Sequence, residues 1–285
     1  MTEAKASTSH EREALKAQTF QRLHPRAYLE RFLAEQLRPD GRTPAEWRSA
    51  TINAGSISTA DGSALVRLGG TTVVCGVKAE IAEPELDSPD KGFIVPNLDL
   101  PAICSPRFKP GPPTEDAQVL SDRLNEVLIV SGILPTEQLC IYRGKAVWVL
   151  YVDATCINYD GNVFDATLLA MVSALKNTKL PKATYNEDTF RTTCSRKNMQ
   201  SLDLRRLPIS MSFGVFDSSH LLSDPTAFEE QLLDTTYTIT MDGNDGLISV
   251  TQLGVGSIGG EDFLGKCIGD AKARCAEVGH EIYDL

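Results

Sequence analysis

KAVWVLYVDATCINYDGNVFDATLLAMVSALKNTK, residues 145–179, is the stretch that decides the fold. Val147 to Ile157 is rich in β-branched, aromatic and apolar residues, which suits a strand covered on both faces. Asp160-Gly161 reads as a tight turn. A helix is expected from Phe164 or Asp165, and Ala166 to Leu175 is apolar almost all round, so that helix should be buried. A strand, a turn and a helix start make a ready cradle for an anion, because free backbone N–H groups and the helix dipole point the same way. Here the cradle holds Gly161, Asn162, Val163, Phe164 and Asp165, without Arg, Lys, Ser or His. A carboxylate at Asp165 would complement the dipole and repel a phosphate.

Outward from this stretch, the segments alternate between strands and helices. Towards the N-terminus, Arg48 to Glu80 reads as a three-strand antiparallel meander with turns at Asp61-Gly62-Ser63 and Gly69-Gly70. Ala82 to Pro113 is a long polar, proline-rich connection, the kind that serves function or an interface. Thr114 to Ser131 predicts an amphipathic helix capped by Thr114, ended by Gly132, with Val119, Leu120, Leu124, Val127 and Leu128 inward. Before the meander, Glu11 to Leu37 reads as a helix interrupted at His24-Pro25, and Met1 to Thr8 as a frayed end.

Towards the C-terminus, Pro181 to Arg206 carries Lys182, Arg191, Arg196, Lys197, Arg205 and Arg206 among polar residues and reads as a linker. Strands at Ile209–Val215 and Leu221–Ser223, a turn ending at His220 and a short helix over Ala227–Leu232 follow. A hairpin turns at 242–246, and a terminal helix runs from Glu261 to about Val278. Its inward positions are Phe263, Leu264, Cys267, Ile268 and Ala271. GVGSIGG at 254–260 precedes that helix but lacks a following strand and ribose-binding acid, so it reads as a loop and cap. The order of elements gives an α+β chain of two related halves: a helical extension at 1–44, a first half at 45–180, a linker at 181–205 and a second half at 206–285.

Totals narrow the function classes. A chain of 285 residues with formal net charge −10 has room for a sizeable core and is not a general duplex-binding protein. Its seven cysteines form no CxxC pair, so no metal site is expected, and scattered thiols fit a reducing compartment. His24 has no Cys or carboxylate partner nearby in sequence. No apolar run is long enough for a membrane span and the N-terminus lacks an apolar signal core, so a soluble intracellular chain is expected.

RPDGR at 38–42, GSALVRLGGT at 62–71, SPRFKPGPP at 105–113, GKAVWVLYVDATCINYDGN at 144–162 and SDPT at 223–226 occur in this order. Together they resemble the RNase PH-like family over about Tyr28 to Val278. SISTADGSALVRLGGTTVVCGVKAE at 56–80 brings the likeness closer to ring subunits of the eukaryotic RNA exosome. The resemblance implies an RNase PH-like fold, with two βαβ-containing halves, mixed sheets and packed helices. It implies a hexameric ring of such subunits around an RNA channel, with S1/KH-type cap proteins, a separate catalytic nuclease, no cofactor and no membrane. It also implies roles in rRNA processing and mRNA decay in the nucleus, nucleolus and cytoplasm.

Active members of the family cleave RNA from the 3′ end with inorganic phosphate. They carry a Thr-Arg-Thr type run where this chain has Val163, Phe164 and Asp165. Their general acid lies in a Glu-Ala-Asp run whose counterpart here is Leu233 to Tyr237. Thr236 is the direct match, and a small shift would put Asp234 there instead. The resemblance therefore implies a non-catalytic structural subunit with a degenerate phosphate site. The alternative is an active phosphate-dependent 3′-to-5′ exoribonuclease of the same fold. Arg107 and Lys109, on the Pro-stiffened loop, are the candidate RNA contacts, with a solvated or partner-facing loop as the other reading. Arg67 and Lys78 could line the channel or cover an exposed face. An edge strand with apolar faces in each half is the expected docking surface.

Overall fold

The computed structural model describes residues 15–243, 246–254 and 261–283. The expectations for Met1 to Thr8, for the start of the first helix and for the loop 255–260 lie outside these residues. A helix over 15–23 (α1) breaks at His24, and α2 resumes at Pro25–Ala34. Pro25 explains the break, since its ring cannot continue a helix but suits a first turn.

The meander is present as β1 (Ala50–Ala54), β2 (Gly62–Leu68) and β3 (Thr71–Ala82), paired antiparallel in sequence order. The polar connection that follows contains a strand, β4 (Phe93–Asp99). Pro96 hides it from sequence reading, and an edge position tolerates the missing N–H. Helix α3 (Glu115–Ser131) is capped by Thr114, whose hydroxyl accepts from the Ala117 N–H at 3.3 Å, and ends on left-handed Gly132. Val119, expected inward, is 56% exposed, and Ala117 takes the buried place. A short 3-10 turn (Thr136–Leu139) leads to β5 (Cys140–Tyr142) and then β6 (Ala146–Asn158). The sheet order is β1-β2-β3-β6-β4, with β5 also on β6; β4 pairs with β6 in parallel, across α3.

Helix α4 (Val163–Asn177) is buried from Val163 to Leu175. It lies between two sheets, packed on β2, β3 and β6 on one side and on β9 (Pro208–Phe216) on the other. Each of Leu168, Leu169, Met171 and Leu175 contributes ~1.5–3 kcal/mol by leaving water.

The segment read as a linker is a two-stranded hairpin, β7 (Lys179–Asn186) and β8 (Arg191–Ser201). Leu180, Ala183 and Tyr185 turn inward on β7, but Pro181 interrupts that run and β8 is polar and exposed along nearly its whole length, so the apolar alternation is too weak to betray the hairpin. The second sheet runs β10-β9-β11-β12, with β10 (His220–Ser223), β11 (Thr235–Asp242) and β12 (Leu247–Gly254), all antiparallel. His220 opens a strand rather than ending a turn. Between β10 and β11 stands the short α5 (Ala227–Glu230). Helix α6 (Glu261–Tyr283) extends past Val278 and buries Cys267, Ala271, Cys275, Val278 and Ile282, while Leu264 is 39% exposed. One core spans both halves. A second cluster fastens α2 to the second half: Leu29 and Leu33 pack with Phe216 and Leu222. Edge strand β12 leaves Leu247, Val250 and Leu253 exposed.

Candidate functional site

Three elements meet where β6 turns into α4. Gly161 (φ +77°) and Asn162 (φ +52°) are both left-handed and aim the start of α4 at the loop before α5. The approach is close: a Cβ on Gly161 would lie 2.4 Å from the Ala227 N and 2.7 Å from the Pro225 O. Only glycine fits a left-handed position against backbone at that distance.

Beside this turn opens a cleft of about 370 Å³, lined by Arg107, Phe108, Asp116, Arg123, Tyr159, Asn162, Val163, Phe164, Ser212, Glu230, Thr236 and Thr238 among others. The anion cradle within it is filled by the chain itself. Glu230, from α5, accepts the Asn162 backbone N–H on Oε1 at 2.7 Å and the Tyr159 hydroxyl on Oε2 at 2.5 Å. Burial pushes the Glu230 carboxyl above its ordinary value; the hydrogen bonds from Tyr159 and Asn162 and the charges of Arg107 and Arg48 oppose this without cancelling it. Burial, then the Glu230 charge, pushes the Tyr159 phenol up, so it stays protonated and donates. In sequence Glu230 is marked only by a Glu-Glu pair following the SDPT motif, too common a pattern to single it out.

The carboxylate expected in the cradle, Asp165, points elsewhere. It is 6% exposed and accepts from the Ser212 N–H at 2.7 Å and the Ser212 hydroxyl at 3.0 Å, on β9. Its position in the first turn of a helix clasped between two sheets turns the side chain inward. Burial raises its pKa and the Asp224 charge adds to this, against the opposing influence of the nearby Ser210, Asn162 and Ser212 side chains. Val163 and Phe164 do line the cleft. The Arg123 guanidinium lies 4.4 Å from the Phe164 ring centroid, and its Nη2 donates to Thr238 Oγ1 at 3.4 Å. The cleft therefore holds a cation that the sequence does not announce, brought in from α3 beside Leu120 and Leu124.

Thr236 lines the cleft and Asp234 does not: the Asp234 carboxylate stands 3.6 Å from Arg26 on α2. Arg107 reaches the cleft but pairs with Asp116 at 3.3 Å. Phe108 is buried edge-on against Tyr159, centroids 5.4 Å apart, which seats the Pro-rich loop on the turn. Lys109 is exposed on that loop, outside the lining. Arg67 and Lys78 are exposed on β2 and β3. The arginines of RPDGR are internal ties. Arg38 is fully buried, bonded to Glu229 and to the Ser223 and Asp224 carbonyls. Arg42 also reaches the Asp224 carbonyl, at 3.2 Å. Among the described residues no three His, Cys, Asp or Glu side chains are grouped to hold a metal ion, and no helix is long and apolar enough to cross a membrane.

Comparison with known proteins matches this geometry to a lineage. Residues 46–181 match domain 1 of the 3′ exoribonuclease family, and residues 206–269 match its domain 2. The exosome complex component rrp43 of Schizosaccharomyces pombe is 43% identical over 255 residues, covering 90% of this chain and 94% of that protein. The exosome complex component Rrp42 of Thermococcus gammatolerans is 41% identical over 224 residues, 79% of this chain and 81% of that one. A chain of the Archaeoglobus fulgidus exosome with RNA bound to the active site superposes with a TM-score of 0.79 at 33% identity, covering 90% of this chain and 96% of its own. Two family domains in order, with a relative matched along nearly its whole length, show that the chain belongs to the RNase PH 3′ exoribonuclease family.

Proposed function

We propose that the chain is a non-catalytic structural subunit of an exosome-type ring of RNase PH-like proteins. It shapes the RNA channel and holds its neighbours, while a separate nuclease cuts and S1/KH-type proteins cap the ring. The observation that carries this reading is the Glu230 carboxylate on the Asn162 N–H, at the start of α4. In phosphorolysis a phosphate oxygen attacks the terminal 3′ phosphodiester, and the leaving 3′ oxygen takes a proton. A fixed carboxylate in the cradle repels the incoming phosphate, and Thr236 offers no acid to protonate the leaving oxygen. The relatives named as exosome components support the ring, and the exposed edge strand β12 supplies an apolar docking edge.

The alternative, a phosphate-dependent exoribonuclease, has Arg107 and Arg123 in its favour, since both reach the cleft. Yet Arg107 is paired with Asp116, Arg123 lies over Phe164, and the Asn162 N–H of the cradle is already taken by Glu230. On the same reading the chain works in rRNA processing and mRNA decay, in nucleus, nucleolus and cytoplasm; its buried free thiols fit such reducing compartments.

The test uses the purified chain, 3′-labelled RNA and inorganic phosphate. The expected result is no nucleoside diphosphate from the chain alone, and a stable hetero-oligomer on co-expression with other RNase PH-like subunits. Nucleoside diphosphate released by the chain alone would overturn the proposal.

A further inference from the structure

The β7–β8 hairpin is exposed along nearly the whole of β8. One face is tied to the body: Tyr185 stacks on Tyr142 with centroids 4.9 Å apart, and the Tyr142 hydroxyl donates to Glu187. The pairing register sets the other face. Lys182 stands opposite Ser195, Thr184 opposite Thr193, and Asn186 opposite Arg191. Directly opposed residues, and every second residue along a strand, share a face, and all six are exposed. The Thr184 and Thr193 hydroxyls are 3.1 Å apart. Past Ser195 the register jumps, Pro181 pairing with Met199, so Arg196, Lys197 and Asn198 are left without a partner on β7, and all three are exposed next to Lys182.

Lys182, Arg191, Arg196 and Lys197 form no ion pair among the described residues. Four unpaired cations on one hairpin stand out in a chain of net charge −10. The tip is preorganised: Asn186 Oδ1 accepts from the Asp188 N–H at 2.8 Å and the Thr189 N–H at 3.2 Å. Phe190 follows with φ +52° and is 75% exposed. A left-handed backbone at a bulky residue and an aromatic ring held in water are both unfavourable, and such strain marks binding positions.

We propose that the outward face of this hairpin binds single-stranded RNA, its cations and hydroxyls meeting the phosphates and Phe190 stacking on a base. An acidic protein surface would also match the charge. The three cross-strand pairs of this face carry no aliphatic side chain to bury against a protein, whereas cations around an exposed ring suit a chain of phosphates and flat bases. None of these residues lines the cleft, so the site is independent of whether the cleft is catalytic.

The test is fluorescence anisotropy of a labelled oligouridylate with the full chain, from low to physiological salt. Replacing Arg191→Gln, Arg196→Gln and Lys197→Gln together should weaken binding about tenfold or more at low salt. It should also lower the slope of log affinity on log salt by about 2, at roughly 0.7 for each phosphate no longer neutralised. Phe190→Ala should weaken binding ~5-fold or more with the slope unchanged. Both variants should melt at the parental temperature, since the altered side chains are exposed. Three outcomes would overturn the proposal: no RNA binding by the parent at low salt; a triple variant with parental affinity and slope; or polyglutamate displacing the RNA as well as unlabelled oligouridylate does, with Phe190→Ala silent. The last would assign the face to an acidic polypeptide. Because binding is read here and product in the preceding test, the two proposals fail separately.

Discussion

Arg48 grips Asp224 with two parallel hydrogen bonds of 2.7 Å, Nε to Oδ2 and Nη2 to Oδ1, across 176 residues of sequence. Both side chains are buried, and Asp224 also accepts from the Arg48 N–H at 3.0 Å and from Asn162 Nδ2 at 2.7 Å. One carboxylate thus ties the approach to β1, the start of α4 and the end of β10.

Removing one partner of a buried ion pair leaves an uncompensated charge, so Arg48→Met should cost about 3–5 kcal/mol in urea unfolding. Burial alone would raise the Asp224 carboxyl; the Arg48 and Asn162 hydrogen bonds and the Arg48 charge outweigh it and hold the group below its ordinary 3.8. A depressed carboxyl contributes stability that is present above the unfolded value and lost as pH falls through the folded one. Asp224→Asn should therefore flatten the part of the acid unfolding curve that lies below pH 3.8.

Glu230 has the opposite sign. Its folded pKa lies above the ordinary 4.5, so its contribution is fully present below 4.5 and lost as pH rises through the folded value. Melting temperatures measured from pH 4.5 upward should decline less steeply for Glu230→Gln than for the parent, because the amide removes the buried charge. Parallel curves would refute the assignment.

Two glycines separate backbone strain from crowding. Gly132 is left-handed, and a methyl added there would meet nothing within 4 Å, so Gly132→Ala should cost only the conformational ~1–2 kcal/mol. Gly161 is left-handed too, but its added methyl would strike the backbone of residues 225–227. Gly161→Ala should exceed the Gly132→Ala cost by a clear margin in chemical denaturation; equal costs would mean the loop yields freely.

Asp165 stitches α4 to β9, so Asp165→Ala should destabilise by about 1–3 kcal/mol through the stranded Ser212 N–H. Asp165→Asn, which keeps a carbonyl acceptor, should cost less. Inorganic phosphate should leave the melting temperature of both unchanged; a phosphate-induced rise in Asp165→Asn would return this side chain to the cradle.

Much of this architecture is legible in the sequence because apolar periodicity reports burial. The run Val147–Ile157 and the apolar Ala166–Leu175 reveal a central strand and helix directly, and Thr114 and Gly132 mark both ends of α3. Elements whose apolar face is broken or one-sided are not legible: β4 is interrupted by Pro96, β7 by Pro181, and β8 is polar and exposed along nearly its whole length. Within the cleft, Val163 and Phe164 follow from the strand–turn–helix pattern, whereas Thr236 is reached only through the family resemblance. The direction of Asp165, the arrival of Arg123 from α3 and the closure by Glu230 depend on how distant segments pack, and a linear pattern carries no such information.

Arg38 and Glu229, buried together, lie 191 residues apart. On a ribosome adding ~5–20 residues per second, the guanidinium emerges ~10–40 s before its partner exists. During that interval α2 has no Phe216 or Leu222 to cover Leu29 and Leu33. The N-terminal strap is therefore made first but can be fastened only once Phe216, Leu222 and Glu229 have followed, so synthesis of the first half alone does not close the molecule.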